Sequence, residues 1–166
     1  MGIEIERRFL VQSESWKNLV ILSEDIIQGY LNSHPEDLAV RVRISNNQKG
    51  FLTLKSSING LISKEFEYPI PIKDAYELME LSKYKLSKTR YQLKINNKDW
   101  IVDSFKNLNS PLVLAEIELD SPSEKVQIPS WCGREITGIK SLSNAFLAKI
   151  PISSLSLKDR LKTKDQ

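Results

Sequence analysis

Hydrophobic and polar residues alternate with a period of two along most of this chain, the pattern of half-buried β-strands. The alternation predicts eight strands, near 3–11, 26–32, 38–45, 51–56, 63–70, 88–95, 99–105 and 113–120. Turn formers separate several of them: Ser33-His34-Pro35, Asn46 to Gly50, Asn59-Gly60, Asn96-Asn97 and Asn107 to Pro111. Helical spacing replaces the alternation in a few places. The segment Glu14–Leu22 has room for a short helix, and residues 73–86 carry Ala75, Tyr76, Leu78, Met79 and Leu86 at roughly helical intervals. Ser121-Pro122-Ser123-Glu124 has the form of a capping box with proline at the first helical position, predicting a helix start there. A last helix is expected over 141–148, stopped by Pro151. No repeat or linker interrupts the pattern, so residues 1–150 read as one domain and 151–166 as a polar C-terminal tail.

In a strand, residues i and i+2 share a face, and the polar faces here are unusual. Glu4, Glu6 and Arg8 share one face of the first strand, with Ile3, Ile5, Phe9 and Val11 on the other. Arg41 and Arg43 oppose Val40, Val42 and Ile44, and Thr53 and Lys55 oppose Leu52 and Leu54. Glu65 and Glu67 oppose Phe66, Tyr68 and Ile70, while Lys88 and Arg90 oppose Tyr91, Leu93 and Ile95. Asp103 opposes Val102 but shares its face with Ile101 and Phe105; Glu116 and Glu118 oppose Val113, Ala115, Ile117 and Leu119.

Two features turn these faces inward. Ordinary solvent faces mix polar types loosely, whereas these charges come largely in pairs of one sign. The amphipathic segments also need an apolar exterior to pack against. Eight strands closed into an antiparallel barrel satisfy both conditions and leave no bare sheet edge. The expected fold is therefore mainly β (α+β): a closed eight-stranded barrel with a charged interior and a few outer helices. Seven inward acids face six inward bases. An interior this charged is costly unless its ions are paired. A polyanion bound together with a divalent cation accounts for it, cationic side chains taking phosphate oxygens and carboxylates taking the metal.

Composition narrows the chemistry. Of the 166 residues, 40% are hydrophobic and 27% charged, as in a globular protein of one core. Cys132 is the only cysteine and His34 the only histidine, which excludes an intrachain disulfide and zinc sites built on Cys and His, and disfavours a cysteine nucleophile. A metal must then be held by carboxylates, which points to Mg2+ or Mn2+. Net charge is +3, with much of the excess between Lys158 and Lys164, which reads as a solvated end rather than a DNA-binding patch. No apolar run approaches a membrane span, and the acid-containing start MGIEIERRFLV is no secretory signal, so a cytoplasmic location is expected. Glu6 breaks a myristoylation motif after Gly2. His34 reads as a surface turn residue, and Trp16, Trp100 and Trp131 as packing groups.

The ordered motifs resemble a known family. Glu4-Ile5-Glu6-Arg7-Arg8 resembles the Glu-x-Glu-x-Lys signature of the CYTH, or triphosphate tunnel metalloenzyme, family, with Arg8 at the lysine position. The likeness continues through Gln28-Gly29-Tyr30-Leu31, Val40-Arg41-Val42-Arg43, Leu52-Thr53-Leu54-Lys55-Ser56 and Lys64-Glu65-Phe66-Glu67. It extends through Lys88-Thr89-Arg90-Tyr91, Val102-Asp103-Ser104-Phe105 and Ala115-Glu116-Ile117-Glu118, to about residue 150. It is strongest for the short bacterial members that hydrolyse inorganic tripolyphosphate.

The resemblance implies an eight-stranded tunnel barrel and metal-dependent chemistry on a triphosphate. By it, Glu4, Glu6, Asp103, Glu116 and Glu118 are the metal-binding acids. Arg8, Arg41, Arg43, Lys55, Arg90 and Lys140 hold phosphate oxygens, and Glu65 and Glu67 complete the lining. Tyr30 and Lys88 match a tyrosine–lysine pair assigned to proton transfer, although a carboxylate such as Glu116 or Glu118 could take that role. Two departures stand out. Arginine replaces lysine at position 8, and after Thr137-Gly138 the basic and aromatic positions beyond Lys140 are Ser141 and Leu142. The expected reaction is in-line attack of water on a terminal phosphoryl group of tripolyphosphate. The same family frame admits a class IV adenylate cyclase, a thiamine triphosphatase, or a polyphosphate-binding module without catalysis. The sequence leaves the oligomeric state open, a homodimer included.

Overall fold

The computed structural model describes residues 2–32, 34 and 37–162; the turn positions Ser33 and Pro35 and the tail residues 163–166 lie outside them. The alternating segments form β1 (Gly2–Val11), β2 (Val20–Tyr30), β3 (Leu38–Ser45), β4 (Lys49–Ser57), β5 (Ile62–Ile70), β6 (Tyr84–Ile95), β7 (Lys98–Phe105) and β8 (Val113–Glu118). Around the ring they run β5-β4-β3-β2-β6-β7-β8-β1, and β1 pairs back onto β5 to close it, all antiparallel. Asn96 and Asn97, both at positive φ, form the two-residue turn between β6 and β7. Asparagine tolerates that left-handed geometry better than most side chains.

β1 divides one of its edges between two partners. Gly2–Ile5 pair with β5, whereas Phe9 and Val11 pair with a short extra strand, β9 (Cys132–Glu135). Where the edge changes partner, the β4–β5 turn meets the segment after β9. A Cβ on Gly60 would stand 2.7 Å from the Gly138 Cα, so the approach depends on glycine.

Among the described residues the α-helices are α1 (Ile72–Leu81), α2 (Asn144–Lys149) and α3 (Leu157–Arg160). α1 lies on the outer face of β3, where Ala75 and Met79 bury Val42 and Ile44. A second outer cluster gathers Phe9, Trp16, Leu93, Trp100, Val102, Ala115, Ile117 and Trp131, so all three tryptophans are packing groups. A third cluster has a different placement. Leu86, Phe105, Leu114 and Leu10 occupy inward positions of β6, β7, β8 and β1, and they meet Leu142 and Leu147 from the α2 region. Tyr30 and Ala39, inward on β2 and β3, meet Ala145 of α2. The α2 segment therefore stoppers one end of the barrel with apolar side chains.

The structure moves several predicted boundaries. The helix read over 73–86 ends at Leu81, because Lys83 bonds Tyr30 and Tyr84 already pairs with it as the start of β6. β2 begins at Val20, not 26. The Glu14–Leu22 helix is a single 3₁₀ turn, Ser15–Leu19. Ser121–Glu124 forms a turn only: Glu124 accepts the Asp120 N–H, but no helix follows. Val126 and Ile128 are drawn instead onto the tryptophan cluster, and Pro129 disfavours helical geometry just before it. The predicted helix over 141–148 divides into a 3₁₀ turn, Lys140–Leu142, and α2. Finally, Arg160 departs from the reading of Lys158–Lys164 as a solvated end. It is fully buried, donates to the main-chain carbonyls of Ser141, Ile150 and Leu155, and anchors α3 to the stoppered end.

Candidate active site

The charged faces do point inward. Side chains on strands two apart in a sheet start about 10 Å from one another and diverge on a convex surface. Here they meet. Lys55 on β4 pairs with Glu4 and lies 3.9 Å from Glu6, both on β1 beyond the intervening β5. Arg41 and Arg43 on β3 reach Glu67 on β5 at 3.5 and 2.6 Å, and Arg41 lies 3.6 Å from Glu65. Arg90 on β6 reaches Glu116 on β8 at 3.5 Å, and Arg8 donates to the same carboxylate at 3.0 Å. Such pairs skip a strand only across a bore.

The bore has two sectors. Toward the open mouth, Glu4, Glu6, Glu65 and Lys55 are partly exposed. Glu118, opposite Glu6 in register, is exposed, and with Glu4, Glu65 and Glu67 it lines a hollow of about 200 Å³ at the mouth. Burial raises the Glu4 and Glu6 carboxyls, and repulsion from Glu65 and Glu116 adds to it, against the pull of Lys55. Burial works against the Lys55 charge, but Glu6, Glu4 and Glu65 together hold its ammonium above the usual lysine range. Deeper in, Asp103 and Lys88 are fully buried and bonded to one another, and Arg90 donates twice to the same aspartate at 2.8 Å. Burial opposes the Asp103 charge, yet Arg90 and Lys88 hold it far below the carboxylate range. Lys88 is brought down to about 8 by burial and by the neighbouring Arg90 charge.

Tyr30 lies at the inner end. Its hydroxyl accepts from Gln28 at 3.3 Å and faces the Arg41 guanidinium. Burial pushes that hydroxyl above its ordinary value, more than Arg41 pulls it down, so at neutral pH it keeps its proton. Among the described residues no hydrogen bond joins Tyr30 to Lys88. Lys140 is exposed at the stoppered end and pairs with none of the bore acids among those residues. Cys132 is buried, its thiol pushed up to about 12, and it takes no part in the bore. A hollow of about 340 Å³ beside Trp16 and Tyr91 lies on the outer surface, away from these charges.

Among the bore residues given no role from the sequence are Glu24 and Gln28, with Ser45 and Ser63, which bond Glu24 and Glu4 respectively. Glu24 bonds Ser45 and faces Arg90 and Arg43, and buried Gln28 bonds Tyr30. Once β2 is extended back to Val20, Glu24, Gln28 and Tyr30 share one face, so the alternation contained the signal.

The bore's cations are incompletely satisfied by protein. Arg8 Nη2, Arg41 Nε and Arg43 Nε are buried with no hydrogen-bond acceptor among the described residues. Buried donors are nearly always paired, so three in one cavity call for acceptors that ordered water or an anion with several oxygens can supply.

A closed barrel with guanidinium donors inside and carboxylates at its open mouth defines a class of protein whose chemistry lies within its own wall. The family model for the CYTH domain matches residues 2–146, and the chain belongs to that family. It is 38% identical over 155 residues to a curated inorganic triphosphatase of Acetivibrio thermocellus, covering 91% of this chain and 96% of the relative. The crystal structure of the inorganic triphosphatase NE1496 is similar at 30% identity and a TM-score of 0.65, over 89% of this chain and 95% of that one. PH1012 from Pyrococcus horikoshii OT3 shares the fold at 22% identity and a TM-score of 0.59, over 72% and 80% of the two chains.

Proposed function

We propose that this protein is a divalent-metal-dependent hydrolase of inorganic tripolyphosphate, acting within residues 1–150 in the cytoplasm. The observation that carries this reading is the set of buried guanidinium N–H groups without acceptors among the described residues. Bridging oxygens make a linear triphosphate a match for donors spread over several strands, and the triphosphatase relatives support that choice. Arg8, Arg41, Arg43, Lys55 and Arg90 hold the phosphoryl oxygens and stabilise charge that develops on them, commonly the largest electrostatic contribution to such a reaction.

The mouth acids fit a hard cation. Glu4, Glu6 and Glu118 lie on two neighbouring strands at the mouth, where burial and repulsion among the acids raise Glu4 and Glu6; Glu116, one step deeper than Glu118, is bonded to Arg8. Among the described residues no group of three acids forms a ready-made cage. That suits Mg2+ or Mn2+, which bind through one or two carboxylates together with substrate oxygens. Bound there, the ion would neutralise phosphate charge and acidify water. Within the chain, Lys88 handles a proton at Nζ near neutral pH, and the protonated Tyr30 hydroxyl donates to an oxygen at the inner end.

The test is phosphate release from tripolyphosphate, ATP and thiamine triphosphate with Mg2+ or Mn2+, with cyclic AMP measured in parallel. Fastest release from tripolyphosphate is expected. Cyclic AMP from ATP would make it a cyclase, preference for thiamine triphosphate a thiamine triphosphatase, and binding without release a polyphosphate-binding module.

A further inference from the structure

Five acids match the family's metal positions, and the structure ranks them: Glu4 and Glu6 are partly exposed, Glu116 is bonded to Arg8 and 12% exposed, and Asp103 is the most enclosed. We propose that Asp103 is a positioning residue that aims Lys88 and Arg90 at the substrate and stands outside the metal shell. The inference rests on the triphosphatase reading given above. Both Asp103 oxygens are occupied: Oδ1 accepts from Arg90 Nε and Oδ2 from Arg90 Nη2, each at 2.8 Å, and Oδ2 also accepts from Lys88 Nζ. Its side chain is 1% exposed, against 24% for Glu4 and 23% for Glu6.

Its surroundings are wrong for a hard cation. On β7 its inward neighbours are Ile101 and Phe105, and Leu114 stands opposite it on β8. The Phe105 ring lies 5.6 Å from Lys88 Nζ and belongs to the apolar stopper. A Mg2+ or Mn2+ ion keeps several waters and needs oxygen ligands around it. Here it would meet hydrocarbon, the fixed Lys88 and Arg90 charges, and in Glu116 a carboxylate already bonded to Arg8. The mouth acids offer the opposite setting of partial exposure and mutual repulsion. Asp103 instead serves its cations. Its two bonds to Arg90 fix the plane of that guanidinium, with Nη2 bonded to Asp103 and 3.5 Å from Glu116, and its bond to Lys88 holds a fully buried ammonium in place.

The experiment measures Mn2+ binding by electron paramagnetic resonance without substrate, and kcat and KM for tripolyphosphate, in the full chain. Asp103→Asn is expected to keep Mn2+ affinity within about twofold while raising KM by about tenfold or more, as expected when charge-assisted bonds are lost. Glu6→Gln is expected to weaken Mn2+ binding by about tenfold, as loss of a metal-site group does. Asp103→Glu, which keeps the charge and moves it by one methylene, restores part of the KM and leaves Mn2+ affinity unchanged. Mn2+ binding weakened about tenfold by either Asp103 variant would overturn the proposal, as would an unchanged KM in Asp103→Asn. Should Asp103→Asn fail to fold, as its thermal melt would show, the Mn2+ affinity of Asp103→Glu decides alone. A wild-type protein that binds tripolyphosphate without hydrolysing it would sink the triphosphatase reading; equilibrium tripolyphosphate binding would then replace KM, and the Asp103 comparison would stand.

Discussion

The two ends of the bore are built from the same strands yet obey opposite rules. Along β1, β6, β7 and β8 a single inward step changes an ion to a hydrocarbon: Arg8 to Leu10, Lys88 to Leu86, Asp103 to Phe105, Glu116 to Leu114. On the mouth side of that boundary, charges are paired but incompletely satisfied, an arrangement that costs stability unless a ligand completes it. On the other side, Leu142 and Leu147 bury the same strands in a dry cluster. The contrast teaches that binding and holding together are allotted to different levels of one barrel. Substitutions at the two levels should therefore separate activity from stability.

The sharpest break is expected at the stopper. Leu114→Ala, at a site with no exposed surface, should cost about 2–5 kcal/mol of stability. Urea denaturation measures this, and kcat per folded molecule should stay within a few-fold of wild type. Arg41→Ala should do the reverse. Loss of a buried donor to phosphoryl charge is expected to lower kcat/KM about a hundredfold, or roughly 2.7 kcal/mol, with a smaller loss of stability than Leu114→Ala because Lys55 and Arg43 still pair with Glu65 and Glu67. Comparable destabilisation by both variants would erase the division between levels. Tyr30→Phe tests the boundary itself: removing a proton donor should lower kcat about tenfold while KM changes less, and an unaltered kcat would leave Tyr30 a packing residue.

The smallest effect lies outside the bore, where Glu135 of β9 accepts from Arg7 at 2.9 and 2.7 Å and from Thr137. The Arg7 bonds hold the Glu135 carboxyl below its usual range, and burial opposes them only in part. A depressed folded value means that the pair stabilises the protein above the unfolded glutamate pKa, about 4.3, and that this contribution is lost as pH falls through the folded value. Both side chains are partly solvated, so Glu135→Gln should cost only about 0.5 kcal/mol at pH 7 and nothing below the acid transition. Melts across pH would show whether the difference disappears.

The barrel and its charged bore were legible because one physical signal, the two-residue period, carries both strand and face. Arg41 beside Val42, or Glu65 beside Phe66, states which side is which. The stopper was legible in part. Phe105 falls on the same face as Asp103, and continuing each charged face by one further step reaches Leu10, Leu86 and Leu114. β9 left no such trace: four residues, Cys-Gly-Arg-Glu, are too few for a period, and β1 selects them only through the edge that β5 leaves open. The Ser121 capping box failed because local helix signals yield to tertiary burial, here of Val126 and Ile128. The exposure of Lys140 and the occupied oxygens of Asp103 are properties of packing and pairing between distant segments, which spacing along a chain does not encode.

Among the described residues the C-terminal helices cork one end of the barrel, and the partly exposed acids gather at the other. If tripolyphosphate enters past Glu4 and Glu65, as proposed, its products share that passage with the next molecule. On that reading phosphate and pyrophosphate should compete with tripolyphosphate for the same arginines, and product departure should weigh on turnover alongside bond breaking.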